Sequence, residues 1–316
     1  MILVTLPMNS LQRQRMSDAA DGYLIQYVDR GGLTAELLAE AEVIIGNIPL
    51  NQLKRCEKLK WIQLYNAGAD DFAGSRDLRA DTLLTNATGA YGSVIAEHML
   101  GMLFMMQKHL ADYYIHQQRK EWISEGGPVM LEGKTAVLVG TGDIGQTFAK
   151  KLKALGCYTI GIKRRKTEYL KYFDELYTDN QMEEILPRAD ILALSLPQTE
   201  DTISFLDKNR LQRMKASAML INVGRGSAVD TESLVYALEH QWIAGAALDV
   251  TNPEPLPKDH PLWNCKNIII TPHIAGNYDV PETLEKIVEI AIDNLDRYMQ
   301  GRTMRNVVDR NTGYCR

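Results

Sequence analysis

The sequence predicts an α/β protein made of two doubly wound parallel sheets, and three observations carry that expectation. Short apolar runs alternate with helix-like segments in two separate series, residues 2–85 and 134–271. Such alternation builds a parallel sheet with helices on both faces. A single long helical pattern, residues 95–118, stands between the two series. Finally, 316 residues are enough for about two domains, each burying its own core.

In the first series, residues 2–6, 23–28, 43–45, 61–65 and 83–85 read as strands, and 33–41 and 50–56 as helices. The loop Asn66-Ala67-Gly68-Ala69-Asp70 follows the fourth strand. In the second series, 134–139, 158–162, 191–196, 218–222, 243–250 and 268–271 read as six strands in the order of a doubly wound nucleotide-binding sheet. A last helix, about 282–299, follows the second series and carries the chain back to the first domain.

The first strand of the second series runs into Gly140-x-Gly142-x-x-Gly145 and then a helix. Each glycine has a task at a dinucleotide site. Gly140 permits the tight turn, Gly142 lets the backbone approach a pyrophosphate, and Gly145 lets the helix pack on the strand. N–H groups at the helix start, at Asp143 and Ile144, would face the anion, favoured there by the helix dipole. Three glycines alone are weak evidence; the strand before them and the amphipathic helix after them, with Phe148, Leu152 and Leu155 on one face, make the pattern specific.

Composition narrows the partners. Lys plus Arg number 35 against 40 Asp plus Glu, a net charge of -5, which provides no basic field for nucleic acid or an anionic membrane. The four cysteines, Cys56, Cys157, Cys265 and Cys315, are far apart and lack metal-ligand spacing, so reduced thiols, no metal and a cytoplasmic location are expected. The N-terminus reads as a first strand and not as a leader, and the longest apolar run, 99–106, is too short to span a bilayer.

Three polar residues stand just beyond apolar strands, where open α/β sheets place their ligands: Arg225, Glu254 and His273. A histidine beside a carboxylate has its charged form stabilised and can donate a proton to a forming alkoxide. An arginine offers a planar fork for a carboxylate or a carbonyl. With a nicotinamide, these parts suffice to reduce a 2-keto acid.

At these residues the chain resembles the D-isomer-specific 2-hydroxyacid dehydrogenases. The resemblance runs through 66–70, 85–98, the glycine loop, 195–202, 222–226, 249–255 and 271–276. It implies a flavodoxin-like substrate domain, residues 1–95 plus 287–316, and an inserted Rossmann-type nucleotide-binding domain, residues 96–286. It also implies that Arg225 binds the substrate carboxylate and carbonyl, that His273 is the acid/base, and that Glu254 pairs with His273 and favours its protonated form. Backbone N–H groups near Ala67 and Gly68 would receive the substrate carboxylate. The cofactor would contact Gly140, Gly142, Asp143, Ile144, Gly145, Ser195, Leu196, Pro197, Thr202, Val223, Gly224, Asp249, Ala275 and Gly276, with Asp249 on the nicotinamide carboxamide. A homodimer through the nucleotide-binding domain is implied as well.

One departure matters. Many NAD-preferring members end the second strand with an acidic residue; here Ile162 is followed by Lys163-Arg164-Arg165-Lys166. Lys163, Arg164 and Arg165 therefore point to NADP, with NAD as the alternative. The expected function is hydride transfer between NAD(P)H and a small 2-keto or D-2-hydroxy acid. The rival is a dinucleotide-sensing, corepressor-like binding protein on the same fold. No segment in 302–316 is long enough for an appended regulatory domain.

Overall fold

A computed structural model of the chain describes every residue except Pro128, Asn311, Tyr314 and Arg316, and Arg30 by its backbone only. The expected substrate-domain segment 287–316 thus has residues 311, 314 and 316 outside the described residues. Contacts divide the chain into two units, Met1–Tyr91 with Asn277–Arg316, and Gly92–Gly276. The sequence reading draws these junctions at 95/96 and 286/287. Local bonds account for the observed positions: the Gly92 N–H donates to Asp143 at 2.7 Å within the second unit, and the Tyr278 ring packs on Tyr65 at 5.1 Å within the first.

The first unit runs β1 (Ile2–Val4), α1 (Ser10–Ala19), β2 (Ile25–Tyr27), α2 (Ala35–Glu40), β3 (Val43–Ile45), β4 (Trp61–Gln63), α3 (Asp70–Ala73) and β5 (Leu83–Thr85). Its strands pair in parallel in the order β2-β1-β3-β4-β5, the flavodoxin-like winding. β1, β3 and β4 are buried along their whole length because helices cover both faces, which is why they read as unbroken apolar runs. The expected helix at 50–56 is a 3₁₀ helix, Leu50–Arg55. Leu3, Ile44, Ile62, Leu64 and Leu84 fill the core.

The second unit runs α4 (Gly92–Gln107), α5 (Leu110–Arg119), β6 (Thr135–Val139), α6 (Asp143–Ala154), β7 (Tyr158–Lys163), β8 (Glu175–Thr178), α7 (Met182–Ile185), β9 (Ile191–Leu194), α8 (Lys208–Arg213), β10 (Met219–Asn222), α9 (Thr231–Glu239), β11 (Gly245–Leu248) and β12 (Ile268–Ile270). The parallel order β12-β11-β10-β9-β6-β7-β8 is that of a Rossmann-type sheet with a seventh strand. The chain then returns to the first unit as α10 (Pro281–Met299). There Asn294 donates to the Gln63 side chain at 2.8 Å, a fully buried bond that ties α10 to β4.

Two expectations are corrected. The six-strand reading misses β8, whose four residues are all half-buried and carry no apolar alternation. The single helix over 95–118 is two helices, parted at His109, whose φ of +53° is left-handed. Helical periodicity continues across the break, but α4 buries Ile95, Met99, Met102 and Leu103 whereas α5 buries nothing. Among the described residues no helix is long and apolar enough to cross a membrane.

Candidate active site

The glycine loop is built as a ligand cradle. β6 is buried from Ala136 to Val139 and ends at Gly140, whose φ of +97° suits glycine. A Cβ on Gly145 would lie 2.0 Å from the Gly140 carbonyl oxygen, so α6 can seat on the strand only without one. At Gly142 a Cβ would meet nothing within 4 Å; the space beside this backbone is open. Gly142 is the N-cap of α6 and makes no side-chain cap bond, while the first N–H groups of any helix lack intrahelical acceptors. Such a donor set fits a pyrophosphate. The Asp143 carboxylate accepts the Gly92 N–H at the start of α4.

The neighbouring strand ends close the cradle. Ser195 donates its hydroxyl to the Gly140 carbonyl at 3.2 Å, and buried Thr202 donates to the Pro197 carbonyl at 2.7 Å. A Cβ on Gly224 would lie 2.6 Å from the Leu196 backbone, and the Val223 N–H donates to Leu194 at 3.1 Å. Lys163 is the last residue of β7 and its amine donates to Thr167 at 2.8 Å. Beyond it, Arg164, Arg165 and Lys166 are exposed.

Arg225, Glu254 and His273 sit on loops that follow β10, β11 and β12, three strands adjacent in the sheet. Asn222 shapes the first loop, its amide donating to the Arg225 carbonyl at 2.9 Å and its oxygen accepting from Gly224 at 3.1 Å. Arg225 itself donates to the Gly224 carbonyl at 2.9 Å. A Cβ on Gly226 would lie 2.0 Å from the Thr251 carbonyl, so this loop is packed against the one that carries Glu254.

The Glu254 carboxylate accepts from His273 Nδ1 at 2.6 Å and from the Thr251 N–H at 3.3 Å. Nδ1 therefore carries a hydrogen, and Nε2 is the ring atom that can exchange a proton with a ligand. Both side chains are partly open to solvent, at 49% and 40%. His273 is left-handed, with φ +52°, a conformation that costs roughly 1–3 kcal/mol and persists only where neighbours over-determine it. Its N–H donates to the carbonyls of Asp249 and Thr271 at 2.8 and 3.0 Å. The Asp249 side chain lies beneath this loop, 2% exposed, accepting from the Thr271 hydroxyl and the Ile274 and Ala275 N–H groups. Gly276 ends the loop, half-buried.

In the first unit, the loop bearing Ala67 and Gly68 follows β4. Asn86 donates to the Ala67 carbonyl at 2.6 Å, the Ala87 N–H to Asn66 at 2.9 Å, and the Tyr91 hydroxyl to Tyr65 at 2.7 Å. Both tethers at Asn66 and Ala67 use carbonyl groups of the loop.

Sequence reasoning gave no role to Asn222, Thr251, Thr271 or His98. Asn222 had a local signal, an Asx residue at a strand end two positions before a glycine. His98 had none, for its Nε2 meets the Thr271 hydroxyl at 3.0 Å across a separation of 173 residues.

Comparison with known proteins agrees with this architecture. Residues 100–275 match the family described as "D-isomer specific 2-hydroxyacid dehydrogenase, NAD binding domain". A glyoxylate reductase of Thermofilum pendens is 32% identical over 80% of this chain and 75% of its own. A D-isomer specific 2-hydroxyacid dehydrogenase family protein of Aeromonas salmonicida superposes with a TM-score of 0.84, at 31% identity over 98% of this chain and 99% of its own. A "Probable 2-hydroxyacid dehydrogenase" of Rhizobium etli, solved with NADP, HEPES and L(+)-tartaric acid, has a TM-score of 0.79 at 25% identity, with 99% of each chain covered. With a dinucleotide cradle on a Rossmann-type sheet and relatives alike over most of its length, the chain belongs to the D-isomer specific 2-hydroxyacid dehydrogenases and is an NAD(P)-dependent enzyme of that family.

Proposed function

We propose that the enzyme reduces a small 2-keto acid of the glyoxylate kind to its 2-hydroxy acid, with NADPH preferred over NADH. When bound, the reduced nicotinamide supplies the hydride. His273 Nε2 gives the proton to the substrate carbonyl oxygen as it becomes an alkoxide, and Glu254 holds Nδ1–H and balances the charge of the ring. Arg225 takes the substrate carboxylate and polarises the carbonyl through its guanidinium fork. Taken by itself, the first unit offers backbone N–H groups at Ala67 and Gly68 to a carboxylate. The observation that supports this reading best is the 2.6 Å His273–Glu254 bond, held on a left-handed backbone at a strand end.

The cofactor preference is supported by Arg164 and Arg165, exposed beyond β7 with no acidic residue at the strand end. A homodimer is proposed from α5, which buries no residue and leads into a fully exposed Trp122, since a second copy of the chain would cover Tyr114, Ile115 and Trp122; a cytoplasmic location is proposed from the four free thiols. A panel of 2-keto acids with NADPH and NADH, followed at the nicotinamide absorbance, tests the reaction. Turnover of short 2-keto acids, faster with NADPH, is expected. Tight cofactor binding with no turnover of any acid would overturn it in favour of a dinucleotide sensor.

A further inference from the structure

We infer that His98 and Thr271 are positioning residues for His273, acting through a hydrogen-bond relay that ends on Asp249. The inference rests on reading His273 as the proton donor. An ionised carboxylate only accepts, and a hydroxyl has one hydrogen to give. The Thr271 hydroxyl gives its hydrogen to Asp249 Oδ1 at 2.6 Å. The 3.0 Å contact between His98 Nε2 and that same hydroxyl therefore needs Nε2–H as the donor. A 3.9 Å approach of the hydroxyl to the Met102 sulfur is too long to compete for the hydrogen.

The relay converges on the residues around His273. Asp249 Oδ1 also accepts the Ile274 N–H at 2.9 Å, and Oδ2 the Ala275 N–H at 3.0 Å. The Thr271 carbonyl accepts the His273 N–H at 3.0 Å, so one residue holds the loop through both its side chain and its backbone. A carboxylate only 2% exposed must be matched by donors, and three polar groups supply them, the hydroxyl and two amides, while the His98 ring stands behind the hydroxyl. His98 is thus the α4 side chain that sets the far end of the relay. Neither His98 nor Thr271 needs to touch substrate. Their effect is to keep a left-handed His273 at one place, and a displacement of about 1 Å at a reacting group costs on the order of 10²-fold in rate.

The test compares Thr271→Val with Thr271→Ser and His98→Leu with His98→Gln, reading kcat and KM for the keto acid and the dissociation constant of NADPH by fluorescence. Serine keeps the hydroxyl and glutamine keeps an N–H donor, so each should recover most of the activity. Thr271→Val and His98→Leu should lose about 10²-fold in kcat with NADPH binding unchanged. Parent-like kcat in Thr271→Val or His98→Leu overturns the relay. So does failure of the serine and glutamine variants to recover, which would make the contacts mere packing. Loss of NADPH binding together with kcat would make them general supports of the fold and also overturns it. His273→Gln, assayed alongside, separates the two levels: if it retains parent kcat, the proton-donor reading has failed and not the relay alone.

Discussion

His273 Nδ1 and Glu254 Oε1 lie 2.6 Å apart on loops that leave neighbouring strands, so the free edge of the imidazole is fixed by a carboxylate on its other side. His273→Gln should lower kcat by ~10²- to 10⁴-fold while NADPH binding holds, because a placed proton donor acts in the transition state. Glu254→Gln keeps an acceptor but loses its charge. A charged hydrogen bond is worth roughly 1.5–3 kcal/mol, so its kcat should fall by about one to two decades. Steady-state kinetics beside cofactor titration check both, and a parent-like kcat in His273→Gln would assign the proton to another group.

Arg225→Lys retains a charge but not a two-point fork. The variant should raise KM for the keto acid much more than the dissociation constant of NADPH. Equal weakening in the two titrations would assign Arg225 to the nucleotide.

For the basic turn, the parent should have a higher kcat/KM with NADPH than with NADH. Arg164→Ala combined with Arg165→Ala should cut that ratio by about one to two decades, the worth of a charge-assisted bond to a phosphate. An unchanged ratio would make the turn a solvated surface only.

Glycine substitutions should separate folding from cofactor binding. Gly142→Ala adds a methyl to open space, so thermal stability should hold while NADPH affinity falls. Gly145→Ala drives a methyl into the Gly140 carbonyl, and overpacking of this kind costs typically 1–3 kcal/mol, so Tm and affinity should fall together. Differential scanning fluorimetry with and without NADPH distinguishes the two.

These sites differ in how far they could be read before the fold was known. The glycine loop was legible because its strand, turn and helix are contiguous, and Arg225, Glu254 and His273 because each follows an apolar run. Three features were not. The break at His109 lacks the glycine that normally marks a left-handed turn. Strand β8, Glu-Leu-Tyr-Thr, is half-buried at an edge and shows neither alternation nor an apolar run. The hydroxyl that donates to Asp249 is itself met by His98 of α4, and no spacing rule links residues so distant in the chain.

That edge strand gives a pH prediction. Arg188, then the Tyr177 and Tyr158 hydroxyls, hold the Glu175 carboxyl down from 4.5 to about 2. A carboxyl lowered by folding contributes stability above its unfolded value and loses it as pH falls through the folded value. The contribution is therefore present above pH 4.5 and disappears toward pH 2. Glu175→Gln should flatten the parent's loss of urea resistance across this window; an unaltered slope would mean that the pair adds nothing to β8.

The break at His109 also provides an optical handle. It sends α5 away from the core of its own unit and leaves Trp122 entirely in water, whereas Trp61 is sealed, its indole N–H donating to Thr85 at 2.8 Å. A water-bathed indole emits at longer wavelengths than a buried one and is reached by aqueous quenchers. With Trp242 and the half-exposed Trp263 replaced by Phe, the long-wavelength, quenchable emission reports the arm after α5 and the short-wavelength emission reports the sheet around Trp61, so the two can be followed separately without any added dye.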